Sequence, residues 1–209
     1  EAGKFAEVRG DRMGNSFATL NRGGAPIVML SGHIDEIGLM ITHVEEGGLL
    51  RFQGVGGWDP QVLVGQRVLV QTNNGEVPGV IGKKAIHVME ADERKKVSEI
   101  KSLWIDIGSK DGDEAKEKVR VGDVAVVDQD VLELPNGRVA SRSLDNRMGA
   151  FVVLEALRLL SEEEDGLAAE VVAVANVQEE IGLYGARGAA FGLDPDAAIA
   201  VDVTHATDT

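Results

Sequence analysis

The sequence contains no cysteine, so neither a disulfide nor a thiolate metal site is available, and any metal must be held by His, Asp and Glu. Aromatic residues make up only 4% of it, too few for platforms that stack bases or sugars. Positive charge is also short: 21 Lys and Arg stand against 35 Asp and Glu, a formal net charge of -14. Binding to a phosphate backbone relies on Lys and Arg, so no nucleic-acid partner is expected. No apolar run is long enough to cross a bilayer, and the first residues lack the basic-then-apolar layout of a signal peptide. A membrane partner is therefore not expected, and a cytoplasmic setting is the default. What is present is a chain of 209 residues, 44% hydrophobic, enough for one domain with a sizeable core or two small ones.

The two ends of the chain read as α/β and the middle as all-β. Ala25 to Ser31 is a short continuous apolar run, as expected of a strand buried on both faces. Arg147 to Leu160 has helical periodicity, with Met148, Phe151, Val152, Ala156, Leu159 and Leu160 on one side. A strand over Val171–Val177, a small-residue helix over Tyr184–Phe191 and a strand over Ala197–Val203 follow, the alternation of a mostly parallel sheet. Residues 41–138 carry short β-rich runs separated by turn signals, among them the hairpin dipeptides Asn74-Gly75 and Asn136-Gly137. One short helix is expected over Asp111–Lys118. The sequence thus predicts an α/β domain built from residues 1–40 and 139–209, with a small β-barrel or sandwich inserted over 41–138. The acidic run Glu162 to Asp165 reads as a solvated helix end.

Four clusters fall at expected strand ends or a helix start, where open α/β sheets place their sites. Glu179 and Glu180 end the run that starts at Glu170, and burying an unpaired charge costs several kcal/mol, roughly. A metal ion would neutralise the pair, with one carboxylate as ligand and the other as general base; the plainer reading is two solvated acids in a loop. Gly182 allows the turn that would bring both to one site. His33 and Asp35 lie two apart in Gly32-His33-Ile34-Asp35-Glu36, so a carboxylate could orient the imidazole toward a metal; otherwise this is a polar loop. Asp145 opens the Arg147–Leu160 helix, as an N-cap or as a carboxylate bridging two metals. Asp202 interrupts the apolar run Ile199 to Val203, where a buried carboxylate needs a strong partner. Together they offer one His and several carboxylates, the ligand chemistry of a two-metal hydrolase.

The motifs Ser31-Gly32-His33-Ile34-Asp35-Glu36-Ile37-Gly38, Gly57-Trp58-Asp59-Pro60, Ser143-Leu144-Asp145-Asn146-Arg147, Val177-Gln178-Glu179-Glu180-Ile181-Gly182 and Val201-Asp202-Val203-Thr204 resemble, in order and spacing, those of the tetrahedral (TET-type) metalloaminopeptidases. That family is also described as glutamyl or deblocking aminopeptidases, and as cellulases or endoglucanases. The resemblance extends over essentially the whole chain. It implies a metal held by His33, Asp145 and Asp202, and a second held by Glu180 with Asp145 as the bridge. Glu179 would be the general base and Asp35 the residue that orients His33. Two divalent ions, Zn or Co, would serve hydrolysis of N-terminal residues from short peptides. The inserted β region would be a PDZ-like assembly domain of a homo-oligomer, built of dimers that form a dodecamer.

One departure from the family pattern stands out. The second metal's remaining ligand would come from a His in a C-terminal stretch with no counterpart in this sequence, and Glu1-Ala2-Gly3-Lys4-Phe5 enters strand-like sequence without a leading helix, so a chain truncated at both ends is expected. His205 follows Asp202 too closely to replace it, and His43 and His87 in the β region read as structural or surface residues. Two alternatives to the aminopeptidase stay open: an assembly or binding module with an incomplete site, and a glycoside hydrolase, which also works with two carboxylates.

Overall fold

A computed structural model describes residues 1–207. In chain order the strands and helices are β1 (Glu7–Gly10), β2 (Ser16–Leu20), β3 (Ile27–His33), β4 (Gly38–Val44), β5 (Leu50–Val55), α1 (Pro60–Leu63), β6 (Arg67–Thr72), β7 (Gly75–Gly82), β8 (Trp104–Asp106), α2 (Gly112–Lys118), β9 (Val124–Val127), β10 (Leu132–Leu134), β11 (Arg138–Ala140), α3 (Leu144–Leu160), β12 (Glu170–Asn176), α4 (Tyr184–Leu193) and β13 (Ala197–Ala200). They form two compact units, one of Glu1–Glu36 with Ala140–Thr209, the other of Ile37–Val139.

The first unit is built on a five-stranded sheet in the order β1-β2-β12-β3-β13. β12, β3 and β13 run parallel, as the alternation of strands and helices predicts. β2 runs against them, pairing antiparallel with β12 on one side and β1 on the other, so the sheet is mixed although four of its five strands share one direction. β12 lies between β2 and β3, and its alternate residues feed two cores. Val171 and Ala173 pack with Val153 and Leu157 of α3, whereas Val172 and Val174 pack with Ala189 of α4. This burial on both faces explains its unbroken apolar sequence. β3 ends at His33 and β12 at Asn176, directly opposite each other, so the carboxyl ends of the central strands open at one edge.

Two expected features of this unit are corrected. β13 ends at Ala200, so Asp202 lies beyond the strand with its side chain half exposed. The desolvation argument made for it from the apolar run therefore fails, because β13 is an edge strand whose residues are all exposed. Glu179 and Glu180 likewise lie past the end of β12 at Asn176, in a loop and only partly buried.

The second unit is a closed antiparallel barrel, β4-β5-β8-β7-β6-β9. Its interior is aliphatic: Leu39, Leu50, Val68, Ile81 and Ile105 are fully or almost fully buried. Closure satisfies both edges of a sheet made of short strands, which an open sandwich of the same strands would leave exposed. Helix α2 covers the expected Asp111–Lys118 segment, and Asp111 caps it by accepting the Glu114 N–H at 2.9 Å. The Asn136-Gly137 dipeptide turns β10 into β11, both residues at positive φ. At the other hairpin only Gly75 has positive φ, and the turn sits one residue earlier than the dipeptide suggests. Among the described residues no helix is long and apolar enough to cross a membrane.

Candidate metal centre

His33 ends the central strand β3 and its side chain is only 3% exposed. Its Nδ1 lies 3.1 Å from the backbone carbonyl oxygen of Asp35 and 3.4 Å from Asp35 Oδ1. An N–H donated there leaves the Nε2 lone pair free to ligate. Nε2 faces three carboxylates: Asp145 Oδ1 at 3.2 Å, Glu179 Oε2 at 3.6 Å and Asp202 Oδ2 at 3.9 Å. Candidate ligand atoms of His33, Asp145 and Asp202 all lie within 4.8 Å of one another, and so do those of His33, Glu179 and Glu180. Imidazole with carboxylates, and no thiolate, is a donor set that fits a borderline divalent ion. Among the described residues, no Lys or Arg side chain pairs with Asp145, Glu179 or Asp202, and His33 is the side chain that faces all three.

Each carboxylate is brought in by a local device. Asp145 stands just ahead of the regular part of α3, at φ -84° and ψ 107°, with its side chain 64% exposed. The capping role open to it in the sequence is taken by its neighbour. Asn146 Oδ1 accepts the Gly149 N–H at 2.9 Å, while its Nδ2 donates to the carbonyl of Val201 at 2.8 Å. Asn146 thus caps the helix and ties the Asp145 turn to the segment that carries Asp202. Gly149 lets this happen: a Cβ there would sit 2.4 Å from both Asn146 Oδ1 and the Val201 carbonyl oxygen. Ser143, in the left-handed region at φ 65°, gives its hydroxyl to Glu36, which also pairs with Arg142 at 2.6 Å and Arg147 at 3.3 Å.

Glu179 and Glu180 share one site because the chain reverses after β12. Gln178 has φ 59° and Gly182 φ 137°, and the Gly182 and Leu183 N–H groups both bond the Glu179 carbonyl, at 2.9 and 3.0 Å. Asp35 fixes the tip of this loop: its two carboxylate oxygens accept the N–H groups of Glu179 and Glu180, each at 3.2 Å. The residue expected only to orient His33 therefore also holds the neighbouring carboxylate pair. His43, His87 and His205 are exposed, and none belongs to a ligand grouping among the described residues.

Sequence reasoning missed the buried amides around the site. Asn15, Asn146 and Asn176 are almost fully buried, and Asn176 Nδ2 donates to Ser31 Oγ at 2.6 Å between the two central strands. The one available signal was the Asp145-Asn146 pair, two cap-type residues side by side of which only one can cap the helix.

Burial pushes the Glu180 carboxyl above its ordinary value; the Asp145, Glu179 and Asp35 charges push the same way, and His33 opposes them. A pKa raised in the fold means that Glu180 favours folding below the ordinary carboxyl range, and that this contribution is lost as pH rises through the raised value. Glu180→Gln should therefore raise the melting temperature of the metal-free chain at pH 7, by about 2–4 °C for each kcal/mol of repulsion relieved. The gain should shrink toward pH 4. Circular dichroism melts at the two pH values test this, and a lower melting temperature at pH 7 would contradict it.

A family model described as M42 glutamyl aminopeptidase matches residues 14–209. The chain is 39% identical over 202 residues to a lysyl aminopeptidase of Pyrococcus furiosus, a match covering 96% of this chain and 57% of that protein. It superposes on the crystal structure of a TET aminopeptidase from the marine sediment archaeon Thaumarchaeota archaeon SCGC AB-539-E09 with a TM-score of 0.94 and 38% identity, over 99% of this chain and 59% of that one. A TET1 peptidase of Pyrococcus horikoshii, which can assemble into a tetrahedron or a large octahedral shell, matches with a TM-score of 0.85 and 37% identity, over 96% of this chain and 59% of that one. The chain thus spans somewhat over half the length of these proteins.

Proposed function

Because the chain belongs to the M42 glutamyl aminopeptidase family, we propose that it acts in hydrolysis of the N-terminal peptide bond of short peptides, with two divalent ions at the His33 cluster. The observation that carries this reading is buried His33, whose Nε2 faces three carboxylates that a cation would draw together. His33, Asp145 and Asp202 would hold one ion; Asp145 would bridge to a second, held by Glu180. When bound, such ions lower the pKa of water toward neutrality and polarise a carbonyl. Glu179 is the general base: it takes the water's proton and returns it to the leaving amine. Asp35 orients His33 and steadies Glu179 and Glu180 through their backbone N–H groups. Zn²⁺ and Co²⁺ both suit the donor set.

The barrel unit would serve as a PDZ-like assembly domain, and the dodecamer and tetrahedral or octahedral shells of similar TET1 peptidases support a homo-oligomer, which would be built of dimers.

Release of p-nitroaniline from a panel of aminoacyl anilides tests the reading. Turnover should vanish with a chelator, return with Zn²⁺ or Co²⁺, and be absent on N-acetylated substrates. Hydrolysis of β-glucans that ignores the chelator would instead make the protein a glycosidase, and no turnover by a metal-loaded protein would make it a binding module.

A further inference from the structure

The loop that carries Glu179 and Glu180 is long and bent, and Asp35 holds only its tip. Its neck is held from elsewhere. Asn15, between β1 and β2, is 1% exposed. Its Oδ1 accepts the Val177 N–H at 3.0 Å, and its Nδ2 donates to the carbonyl of Gly185 at 3.1 Å. One amide therefore bonds both ends of residues 177–185. The two ends also bond each other, Gly185 N–H to the Val177 carbonyl at 3.0 Å. The fit leaves no space for a side chain at 185, where a Cβ would lie 2.1 Å from the Val177 carbonyl oxygen and 2.6 Å from Asn15 Oδ1.

Asp11 decides which way the Asn15 amide faces. Its Oδ2 accepts Asn15 Nδ2 at 2.7 Å, while its Oδ1 accepts the N–H groups of Met13, Gly14 and Asn15 at 2.9 to 3.0 Å. Burial acts to raise the Asp11 pKa, but these hydrogen bonds, led by the Asn15 amide, outweigh it and hold the carboxyl below its ordinary value. With Nδ2 drawn toward Asp11 and Gly185, Oδ1 is left to face Val177. Asn15 touches none of the candidate metal ligands, and nothing in a hairpin connection requires an amide that reaches across to the end of β12.

We infer that Asn15 is a positioning residue for Glu179 and Glu180, setting the place of their loop against His33 by tying its entry and exit to the β1–β2 connection. The inference rests on the reading of the His33 cluster as a metal site.

Two variants test it. Asn15→Ala removes the tie. The exchange Asp11→Asn with Asn15→Asp keeps one amide and one carboxylate in contact, keeps acceptors for the Met13, Gly14 and Val177 N–H groups, and sets a carboxylate oxygen against the Gly185 carbonyl in place of the donor. The probe is Co²⁺ alone, titrated into the 209-residue chain and followed by its visible absorption, beside thermal melts. Both variants should bind Co²⁺ at least tenfold more weakly than the parent while still unfolding in a single cooperative transition. A folded variant of either kind that binds like the parent overturns the inference. If the parent takes up no Co²⁺, the metal reading fails by itself and amide hydrogen exchange decides the positioning. In Asn15→Ala the Glu179 and Glu180 N–H groups should exchange at least tenfold faster, while those of Val172 and Val174 in β12 stay protected. Unchanged protection of the two glutamates overturns the inference on its own.

Discussion

Glu179→Gln is expected to lower aminopeptidase turnover by about 10²–10⁴-fold, the usual contribution of a general base, while bound metal stays near the parent's level. The substitution keeps the volume of the side chain and removes only its basicity. Its placement should survive, because Asp35 grips this loop through the backbone N–H groups of Glu179 and Glu180 rather than through their side chains. Glu179 Oε2 lies 3.6 Å from His33 Nε2, so its carboxylate faces the same cluster as the ligand candidates. Full turnover with a normal metal load would remove Glu179 from the chemistry. The geometry also offers a competing outcome, since Glu179 groups with Glu180 and His33 as a candidate ligand. A fall in bound metal that parallels the fall in rate would make it a ligand instead of a base.

Asp145→Asn should have the opposite signature. It should lower bound metal at both positions, and turnover with it, while thermal stability stays within about 0.5 kcal/mol of the parent, as for an exposed position outside any structural network. The helix cap belongs to Asn146 and the Asp145 side chain is mostly exposed, so the fold gives it little other work. Elemental analysis against protein concentration reads the result. Unchanged stoichiometry would rule out the bridge; loss of one equivalent alone would confine Asp145 to a single ion.

The contrast between these two residues shows what the sequence could reveal. His33, Glu179, Glu180 and Asp202 were legible because each closes, follows or interrupts an apolar run, and Asp145 because it opens a helix; such boundaries are where open sheets gather their chemistry. The structure brings all five to one edge, although Asp202 is not buried as its apolar run suggested. Asp202 is half exposed beyond a short edge strand, and the glutamate pair hangs in a loop past β12. A hydrophobic run shows that a strand exists but not where pairing stops, because the stop depends on neighbours far away in sequence.

The supporting amides were illegible for the same reason. Asn15 bonds residues more than 160 positions away, and Asn146 reaches Val201 across 55. No local pattern carries such partners. The bounds and antiparallel pairing of β1 and β2 stayed illegible beyond strand-like sequence near the N-terminus, because strands of four and five residues, the first exposed throughout, leave almost no periodic signal. The β-rich middle was read correctly as a small barrel or sandwich. Its closure through β4–β9 and β5–β8 contacts depends on register rather than composition.

The central claim, that His33 gathers these carboxylates around divalent metal, is met most directly by anomalous diffraction from crystals of the protein grown with Zn²⁺. The account predicts a peak within about 2.0–2.2 Å of His33 Nε2 and of carboxylate oxygens from Asp145 and Asp202, with a second about 3.5–4 Å away beside Glu180. Saturating Zn²⁺ that leaves no peak at His33 Nε2, or peaks only at other residues, would contradict it.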